Sequence, residues 1–397
     1  MDKIGIVCEY NPFHNGHKYH IDKIKEMFPN SLIILILSGN YTQRGDISII
    51  NKFDKTSIAL KNNIDLVIEL PTIFTIQSAD IFTKGAIDLL NLLKVDYLVF
   101  GSESNDIDKL YEVSKIQYND EYNKEVKKLL SKGLNYKNAL NKALNKFNID
   151  EINESNDILG IGYIKEIINL KSKIKPITIQ RTNDFNKNEI KGNIISANTI
   201  RNNIDSIDIK KYVPKNALID YYKIDYFNLL KYKIISDNNL NNYNLVDEGI
   251  ENRLVKYINK CDNLDDYINK IKCKRYNINK IKRMLISILI GLTKEEVNNN
   301  KEIKYIRILG FNNNGQKYLN KIKKEIDIPI YSKFNKNLEK ELNYTKIYSM
   351  IVNDNTLTTK EIKNSVIKYW IFLIYINYFF NKQYHFIIYF FYKYIFS

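Results

Sequence analysis

Cysteine and histidine are scarce in this sequence, and their scarcity limits the kinds of protein it can be. Among 397 residues there are three cysteines and four histidines. Cys8, Cys261 and Cys273 lie in unrelated sequence contexts, which argues against a disulfide framework and indicates a reducing compartment, the cytoplasm. Three of the histidines fall on one predicted helix and the fourth lies far away in the C-terminal tail. We therefore expect no structural zinc site, which needs clustered ligands from several directions.

Apolar runs long enough to cross a membrane are also missing. Two runs dense in Tyr, Phe and Ile, 366–380 and 386–396, each fall short of the roughly 20 residues that a membrane-spanning helix requires. A read-through or frame-shifted gene end explains these runs at least as well as a membrane anchor does, and we assign them no function. The N-terminus begins with a strand-like run rather than an export segment, so we expect neither a signal peptide nor a membrane location.

Basic residues, in contrast, are in excess. The formal net charge is +15 and the isoelectric point is about 9.2. Such an excess indicates a polyanionic partner. The sequence is also crowded with Asn, Ile, Lys and Tyr, as an AT-rich gene would produce. The charge therefore supports nucleic-acid binding only where the basic residues cluster.

Apolar runs and amphipathic stretches alternate through the first hundred residues. Uninterrupted apolar runs predict strands that are buried on both faces, and the amphipathic stretches between them predict helices. This order is typical of an α/β fold with a doubly wound parallel sheet of Rossmann type, in which ligands bind at the carboxyl ends of the strands. The predicted strands are 4–8, 32–37, 65–70 and 97–100, and the predicted helices are 18–27, 52–61 and 79–93.

The alternation ends near residue 205, and the chain is long enough for two or three domains. Segment 104–150 has the pattern of a charged helical insertion, and 177–180 is predicted as the last strand. Beyond residue 206, lysine-rich helical patterns replace the strand signals. We predict an α/β domain at 1–205, a mainly helical domain at 206–350, and an atypical tail at 351–397 that is rich in aromatic residues from 366.

His14-Asn15-Gly16-His17 is the most informative motif. It follows the first predicted strand and opens the first predicted helix, where backbone N–H groups and the helix dipole favour a phosphate. Two imidazoles three residues apart can reach one anion, and Gly16 lets that anion approach the backbone. Histidine pairs with this spacing are more often unconnected with any site. The predicted strand before this motif and the predicted helix after it are what favour a phosphate site.

A second motif lies late in the same predicted domain. It reads Ser196-Ala197-Asn198-Thr199-Ile200-Arg201. Together the two motifs resemble the nucleotidylyltransferase superfamily, in which the histidines hold a triphosphate and a Ser-Ser-Thr-x-x-Arg element closes over the departing pyrophosphate. Asn198 stands where threonine is usual, whereas Arg201 keeps the cation. The resemblance implies that Ser196 and Arg201 contact pyrophosphate.

Further motifs are spread along the chain. They are the run from Val7 to His17, Ser38-Gly39-Asn40 with Gln43-Arg44-Gly45, Glu69-Leu70-Pro71 with Gln77-Ser78-Ala79, Phe100-Gly101-Ser102-Glu103, Asn156 to Gly160, Lys274-Arg275-Tyr276 and Tyr305 to Phe311. Up to about residue 350, this combination resembles the bacterial tRNA(Met) cytidine acetate ligase family. The resemblance implies an enzyme that uses ATP to form acetyl-adenylate and pyrophosphate. Acetyl then passes to the wobble cytidine of elongator tRNA(Met), giving N(4)-acetylcytidine.

The resemblance also implies the residues of a nucleotide site. His14 and His17 would be catalytic, donating to phosphate oxygens as charge builds up. Mg²⁺ would bind through the nucleotide, since the sequence shows no protein cage for a metal. An adenylate route needs no covalent acyl carrier, and Cys8 ends a strand that we expect in the core. The implied ATP-binding residues are Val7, Cys8, Glu9, Tyr10, Asn11, Pro12, Phe13, His14, Asn15, Gly16, His17, Lys18, Tyr19, His20, Gly101, Asn156 and Arg181.

A basic cluster lies in the second half of the chain. Between residues 270 and 283 there are seven basic residues, no acidic residue, and Tyr276 in the middle. This pattern suits contacts to RNA phosphates and stacking on a base, and it is equally typical of a solvated helix face. The family resemblance favours RNA. The implied tRNA contacts are Lys274, Arg275, Lys280 and Arg283.

Two other functions stay open at this point. A small-molecule adenylyltransferase would share the nucleotide motifs, but such enzymes are usually much shorter and lack a long basic helical half. A non-catalytic RNA-binding protein on the same fold would not need His14, His17, Arg181 and Arg201, all of which are present. No protein partner is indicated.

Overall fold

The predicted alternation of strands and helices is present in the computed structural model, which describes residues 1–134, 136–181, 192–363 and 366–369. The strands are β1 (Lys3–Cys8), β2 (Leu32–Ser38), β3 (Leu66–Leu70), β4 (Tyr97–Ser102), β5 (Lys175–Gln180), β6 (Ile306–Asn312), β7 (Ile330–Tyr331) and β8 (Ile367–Tyr369). The helices of the first part are α1 (Asn15–Met27), α2 (Lys52–Lys61), α3 (Thr72–Thr75), α4 (Ala79–Leu92), α5 (Ile107–Ile116), α6 (Asp120–Ser131), α7 (Tyr136–Leu144), α8 (Ser155–Asn169) and α9 (Ala197–Asn202). Those of the second part are α10 (Phe227–Ser236), α11 (Ile250–Ile258), α12 (Leu264–Ile271), α13 (Ile278–Ile290), α14 (Lys294–Asn299), α15 (Asn313–Ile322), α16 (Glu339–Ile351) and α17 (Thr356–Lys363).

The strand order places a ligand-binding crevice beside β1. The order is β5-β4-β1-β2-β3-β6-β7, with β8 also paired to β6. The pairs among β1 to β5 are parallel. The chain moves outward in one direction from β1 to β3 and in the other from β4 to β5, so the order reverses between β1 and β4. In doubly wound sheets, ligands bind outside the carboxyl ends of the strands at such a reversal.

Both faces of the sheet are covered, as the continuous apolar runs predict. Along β2 the side chains alternate between two cores. Leu32, Ile34 and Ile36 join the core formed with α4 and α8. The residues between them join the core formed with α1 and α2. Full burial of β2 on both faces explains why no polar residue interrupts it before Ser38.

The chain returns to the first sheet after the helical region, a feature absent from the sequence prediction. Strand β6 pairs antiparallel with β3, and β7 and β8 pair with β6. Strands β6 and β7 fall in the range predicted as a helical domain. All seven residues of β6 are buried. Its pairing also satisfies the backbone hydrogen-bonding groups at the otherwise open edge of β3. The helices between residues 227 and 299 confirm the mainly helical character of this half, while the domain boundaries at 205 and 350 stay predictions.

Buried charges tie this returning segment to the first part of the chain. Lys52 Nζ lies 2.8 Å from Glu69 Oε1 and 3.0 Å from Glu361 Oε2. Arg307 forms ion pairs with the same two carboxylates, at 3.2 and 2.7 Å. Residues 356–363, predicted as part of an atypical tail, therefore form an integral helix. The aromatic-rich run beyond Tyr369 lies outside the described residues. Within the described ranges, no helix has the length and apolar character needed to cross a membrane.

Candidate active site

The two histidines of the first motif are fixed by their own helix start. His14 is the N-cap of α1, and its Nδ1 accepts the backbone N–H of Gly16 at 3.0 Å. His17 Nδ1 accepts the backbone N–H of His14 at 3.2 Å, and the two rings lie 3.9 Å apart. Because each Nδ1 is an acceptor, the proton of each neutral ring is assigned to Nε2. Both imidazoles therefore carry an Nε2–H donor for an anion.

Burial keeps these imidazoles neutral. It lowers the pKa of His14 to about 3, with Arg181 and Arg201 adding to the effect. Burial and the neighbouring His14 hold the pKa of His17 well below its ordinary value. The pKa of His20 is lowered to about 4 by burial and by Arg181. These rings therefore act as neutral hydrogen-bond donors, and the arginines supply the positive charge.

Arg201 is held over the β1–α1 loop. Its NH1 donates to Asn11 O at 2.6 Å, and its NH2 lies 3.3 Å from Asn198 Oδ1. Asn198, the departure from the superfamily pattern, thus orients the cation. Ser196 caps α9 by accepting the backbone N–H of Thr199 at 3.1 Å. The late motif and the histidine motif are therefore brought together, as the resemblance implies.

The ends of β4 and β5 form the opposite wall. A Cβ added to Gly101 would lie 3.2 Å from Arg181 Cγ, so the backbone and this arginine are in close contact. Glu103 also belongs to this wall, although no role for its carboxylate follows from the sequence. Its Oε1 lies 3.4 Å from Arg181 Nε, and its carboxylate accepts the Asn156 backbone N–H at 3.1 Å and the Asn156 side-chain amide. One carboxylate thus positions two predicted nucleotide contacts.

A single cavity of about 1010 Å³ joins these groups. The predicted site residues that line it are Val7, Cys8, Glu9, Tyr10, Asn11, His14, Gly16, His17, Tyr19, His20, Gly101, Asn156, Arg181, Ser196, Arg201, Arg275, Lys280 and Arg283. Gln43, Arg44 and Gln77 also line it, although the sequence analysis assigned them no role.

Five predicted site residues do not line the cavity: Pro12, Phe13, Asn15, Lys18 and Lys274. Phe13 is buried against Tyr10 and His17. Asn15 donates to the backbone at Asn193 and Lys211, and Lys18 pairs with Asp22 on the exposed side of α1. Lys274 is exposed on the turn between α12 and α13. Phe13, Asn15 and Lys18 therefore make local structural contacts away from the cavity.

The basic cluster differs from a single helix face. Helix α12 ends at Ile271 and α13 begins at Ile278, so the cluster lies on a helix–turn–helix. Tyr276 is 2% exposed and its OH accepts the backbone N–H of Asp247, so the expected stacking on a base is wrong. Acidic residues from other parts of the chain form ion pairs with basic residues of the cluster. Examples are the pairs Arg275–Glu248 at 3.1 Å and Lys282–Asp46 at 2.8 Å.

A short loop after β2 connects this cluster to the nucleotide site. Gln43 N donates to Glu9 Oε1 at 2.7 Å, and Arg283 NH1 donates to Gln43 O at 3.3 Å. Gly45 has φ +82°, and a Cβ placed there would lie 2.3 Å from the backbone N of Arg283. The loop can therefore lie directly on the backbone of α13. Helix α13 and strand β1 contribute to one cavity through this contact.

Comparisons with known proteins agree with this geometry. The family described as HIGH Nucleotidyl Transferase matches residues 1–364. The tRNA(Met) cytidine acetate ligase of Fusobacterium nucleatum subsp. nucleatum is 40% identical over 342 residues, covering 81% of this chain and 85% of that protein. The enzyme of the same name from Clostridium acetobutylicum is 38% identical over 388 residues, covering 88% and 96%.

Solved structures give the same result. Apo TmcAL of Thermotoga maritima superposes with a TM-score of 0.85 at 29% identity, covering 93% of this chain and 100% of that one. TmcAL of the same organism bound with alpha-thio ATP gives a TM-score of 0.84 at 28% identity, with the same coverage. On these matches, the chain belongs to the tRNA(Met) cytidine acetate ligase family of HIGH nucleotidyl transferases.

Proposed function

We propose that this protein activates acetate with ATP and transfers the acetyl group to the wobble cytidine of elongator tRNA(Met), in the cytoplasm. One observation carries the proposal. The cavity that holds the histidine motif is also lined by Arg275, Lys280 and Arg283 of the basic cluster. A nucleotide site and an RNA-facing surface that share one cavity suit an activated intermediate that is made and used in the same place.

In the first step, an acetate oxygen attacks the α-phosphorus of ATP and the bond to pyrophosphate breaks. Such a displacement depends on positioning and charge stabilisation. The Nε2–H groups of His14 and His17 donate to phosphate oxygens, and Ser196 and Arg201 contact the departing pyrophosphate. Gly101, Asn156 and Arg181 contact the nucleoside.

In the second step, the N4 amine of cytidine attacks the acetyl carbonyl carbon, AMP leaves and the amine loses a proton. The properties of Cys8 do not favour a covalent acyl-enzyme. Burial raises the pKa of the Cys8 thiol to about 12, so it is protonated near neutral pH and a poor nucleophile.

Mg²⁺ fits this site as an ion bound through the nucleotide. The phosphate side offers imidazole and guanidinium groups, which are not ligands that Mg²⁺ prefers, and Glu9 supplies a carboxylate at the end of β1. Among the described residues, no group of three His, Cys, Asp or Glu side chains could hold a metal ion. When bound, Mg²⁺ would neutralise phosphate charge.

One experiment separates this function from its alternatives. The purified protein is incubated with ATP and labelled acetate, with and without tRNA. We expect acetate-dependent formation of AMP and pyrophosphate and labelled tRNA. An adenylyltransferase acting on another small molecule would leave acetate unused, and an RNA-binding protein without activity would leave ATP intact.

Two sets of variants test the site. His14→Ala and His17→Ala should each reduce acetate-dependent turnover by on the order of 10²–10³, the usual effect of losing one such donor. Asn156→Ala and Arg181→Ala should raise the KM for ATP more than the KM for tRNA. Melting curves like that of the parent protein establish that the variants fold. If the KM for tRNA rose more than the KM for ATP, Asn156 and Arg181 would instead be assigned to the RNA-binding surface.

A further inference from the structure

One wall of the cavity has no assigned ligand. The nucleoside side is formed by the ends of β4 and β5, and the phosphate side by the β1–α1 loop. Gln43 and Arg44 follow β2, and Gln77 follows β3, on the other side of β1 in the strand order. These three residues and α13 form the remaining wall. Any group that attacks the α-phosphorus from outside the nucleotide has this part of the cavity available to it.

The reaction determines which chemical groups that wall must offer. In-line displacement puts the attacking acetate on the side of the α-phosphorus opposite the leaving pyrophosphate. Acetate and the α-phosphate are both anionic, so a cation and further N–H donors are needed to bring them together. The acetyl group must then face the RNA. The wall between β2, β3 and α13 meets this last condition, because it adjoins the basic cluster.

Arg44 supplies a cation at this wall. Burial lowers its pKa, while Glu9 and Asp46 oppose that effect and Arg201 and Arg181 add to it. Arg44 therefore lies within electrostatic range of both the carboxylate after β1 and the cations of the phosphate site. Its loop is held in place by the bond from Gln43 N to Glu9 Oε1 and by the close contact of Gly45 with α13, so the backbone of Arg44 has a fixed place in this wall.

Gln77 supplies an unused donor. Its side chain is 1% exposed, it lines the cavity, and its Nε2 has no hydrogen-bond partner in the part of the chain that the structure describes. Its backbone O accepts Gln43 Nε2 at 2.9 Å, which fixes it beside the Arg44 loop. A buried amide donor without a partner destabilises the protein, and a ligand oxygen that accepted its hydrogen bond would remove that penalty.

We propose that Arg44 and Gln77 form the acetate subsite, with the guanidinium and the side-chain amide holding the carboxylate against the α-phosphate. This assignment rests on the proposed function, since it names the position of that reaction's second substrate. It predicts that substitutions here change the requirement for acetate and leave the requirement for ATP nearly unchanged.

The test is acetate-dependent exchange of labelled pyrophosphate into ATP, without tRNA, at pH 8. Gln77→Ala and Arg44→Lys should each raise the KM for acetate about 10- to 100-fold, the effect of losing a hydrogen bond to a charged group or a bidentate contact. The KM for ATP should change by less than about twofold. Gln316→Ala, on α15 outside the cavity, is the matched control and should behave like the parent.

Gln77→Glu distinguishes a carboxylate site from a structural role. Glutamate has nearly the shape of glutamine, but a charge at this buried position is itself costly, so melting curves must first show that Gln77→Glu folds like the parent. In a folded variant, a carboxylate at an acetate site repels the substrate, whereas at a purely structural position the KM for acetate keeps its parent value. We therefore expect Gln77→Glu to raise the KM for acetate more than Gln77→Ala does.

The outcomes separate this subsite from the proposed function. Variants that raise the KM for ATP but not for acetate, or a Gln77→Glu protein as active as the parent, would overturn the subsite and leave the function standing. A parent protein without acetate-dependent exchange and without transfer to tRNA would overturn the function itself.

Discussion

Gly45→Ala probes the contact that joins the nucleotide site to the basic cluster. Gly45 has φ +82°, and its added Cβ would lie 2.3 Å from the backbone N of Arg283. Ordinary contacts of a carbon atom begin near 3.5 Å, so the loop and α13 must separate by roughly 1 Å. Gln43 cannot then keep its bonds to both Glu9 and Arg283. The substitution should therefore affect stability and activity together.

The stability effect has two parts that a control separates. Alanine in the left-handed region costs roughly 1–2 kcal/mol. Gly291 has φ +77° with nothing within 4 Å, so Gly291→Ala measures this backbone strain alone. At Gly45 the clash adds about 1–3 kcal/mol, typical of overpacking. In urea unfolding we expect Gly45→Ala to be less stable than Gly291→Ala by that amount.

The activity effect follows from the same displacement. A shift of about 1 Å in a positioning group reduces rates by on the order of 10²-fold. Acetate-dependent transfer to tRNA by Gly45→Ala should fall by that factor, whereas Gly291→Ala should keep parent activity. If the two alanine variants matched in both stability and transfer rate, the loop would not rest on α13 as described.

Three further predictions concern charge. Burial lowers the pKa of His14 to about 3, so its ring donates in the neutral form, and ATP affinity should depend on pH in the same way for the parent and for His14→Ala between pH 6 and 8; a break near pH 6.5 that only the parent shows would contradict this. Lys274→Glu with Arg275→Glu should weaken tRNA binding and flatten its salt dependence by roughly one unit of slope per lost contact, without changing pyrophosphate exchange; an unchanged slope would place the RNA elsewhere. Burial and neighbouring Glu69 raise the folded pKa of Glu341 to about 7 from an ordinary 4.5, so its stabilising contribution is present below about pH 4.5 and is lost as the pH rises through 7. Urea unfolding should therefore show Glu341→Gln gaining stability relative to the parent between pH 5 and 8, and a constant difference would refute it.

The first sheet could be predicted from the sequence because its central strands β2 and β3 are buried along their whole length and read as apolar runs. β1 to β5 appear as separate apolar runs. The strand β6 could not be predicted in the same way. Ile306, Ile308, Leu309 and Phe311 do form an apolar run, but Arg307 interrupts it, and the partner strand β3 lies far away along the chain. Lys52 is a similar case, since a lysine opening a helix reads as exposed until Glu69 and Glu361 surround it.

The residues of the candidate site also differ in whether their roles follow from local sequence or from distant partners. His14, His17 and Arg201 could be found because each belongs to a short motif with a fixed position relative to a strand or helix. Glu103 was visible as a polar residue at a strand end, but its role depends on Asn156, which another helix brings to it. Short-range spacing therefore identifies the residues that we propose to bind phosphate. It does not identify those that hold the binding residues in place.

The chemistry of the intermediate explains why the nucleotide site and the basic cluster share one cavity. Acetyl-adenylate is a mixed anhydride and hydrolyses if it reaches water, so a closed site protects it. An enzyme with a reactive thiol could store the acetyl group and present it at a second site. Here burial raises the pKa of the Cys8 thiol to about 12, so this thiol is a poor nucleophile and is not the carrier in the proposed reaction. In the proposed reaction the acetyl group is used where it forms, and this requires the helix proposed to face RNA to line the same cavity as the nucleotide. The close approach of Gly45 to Arg283 provides that arrangement.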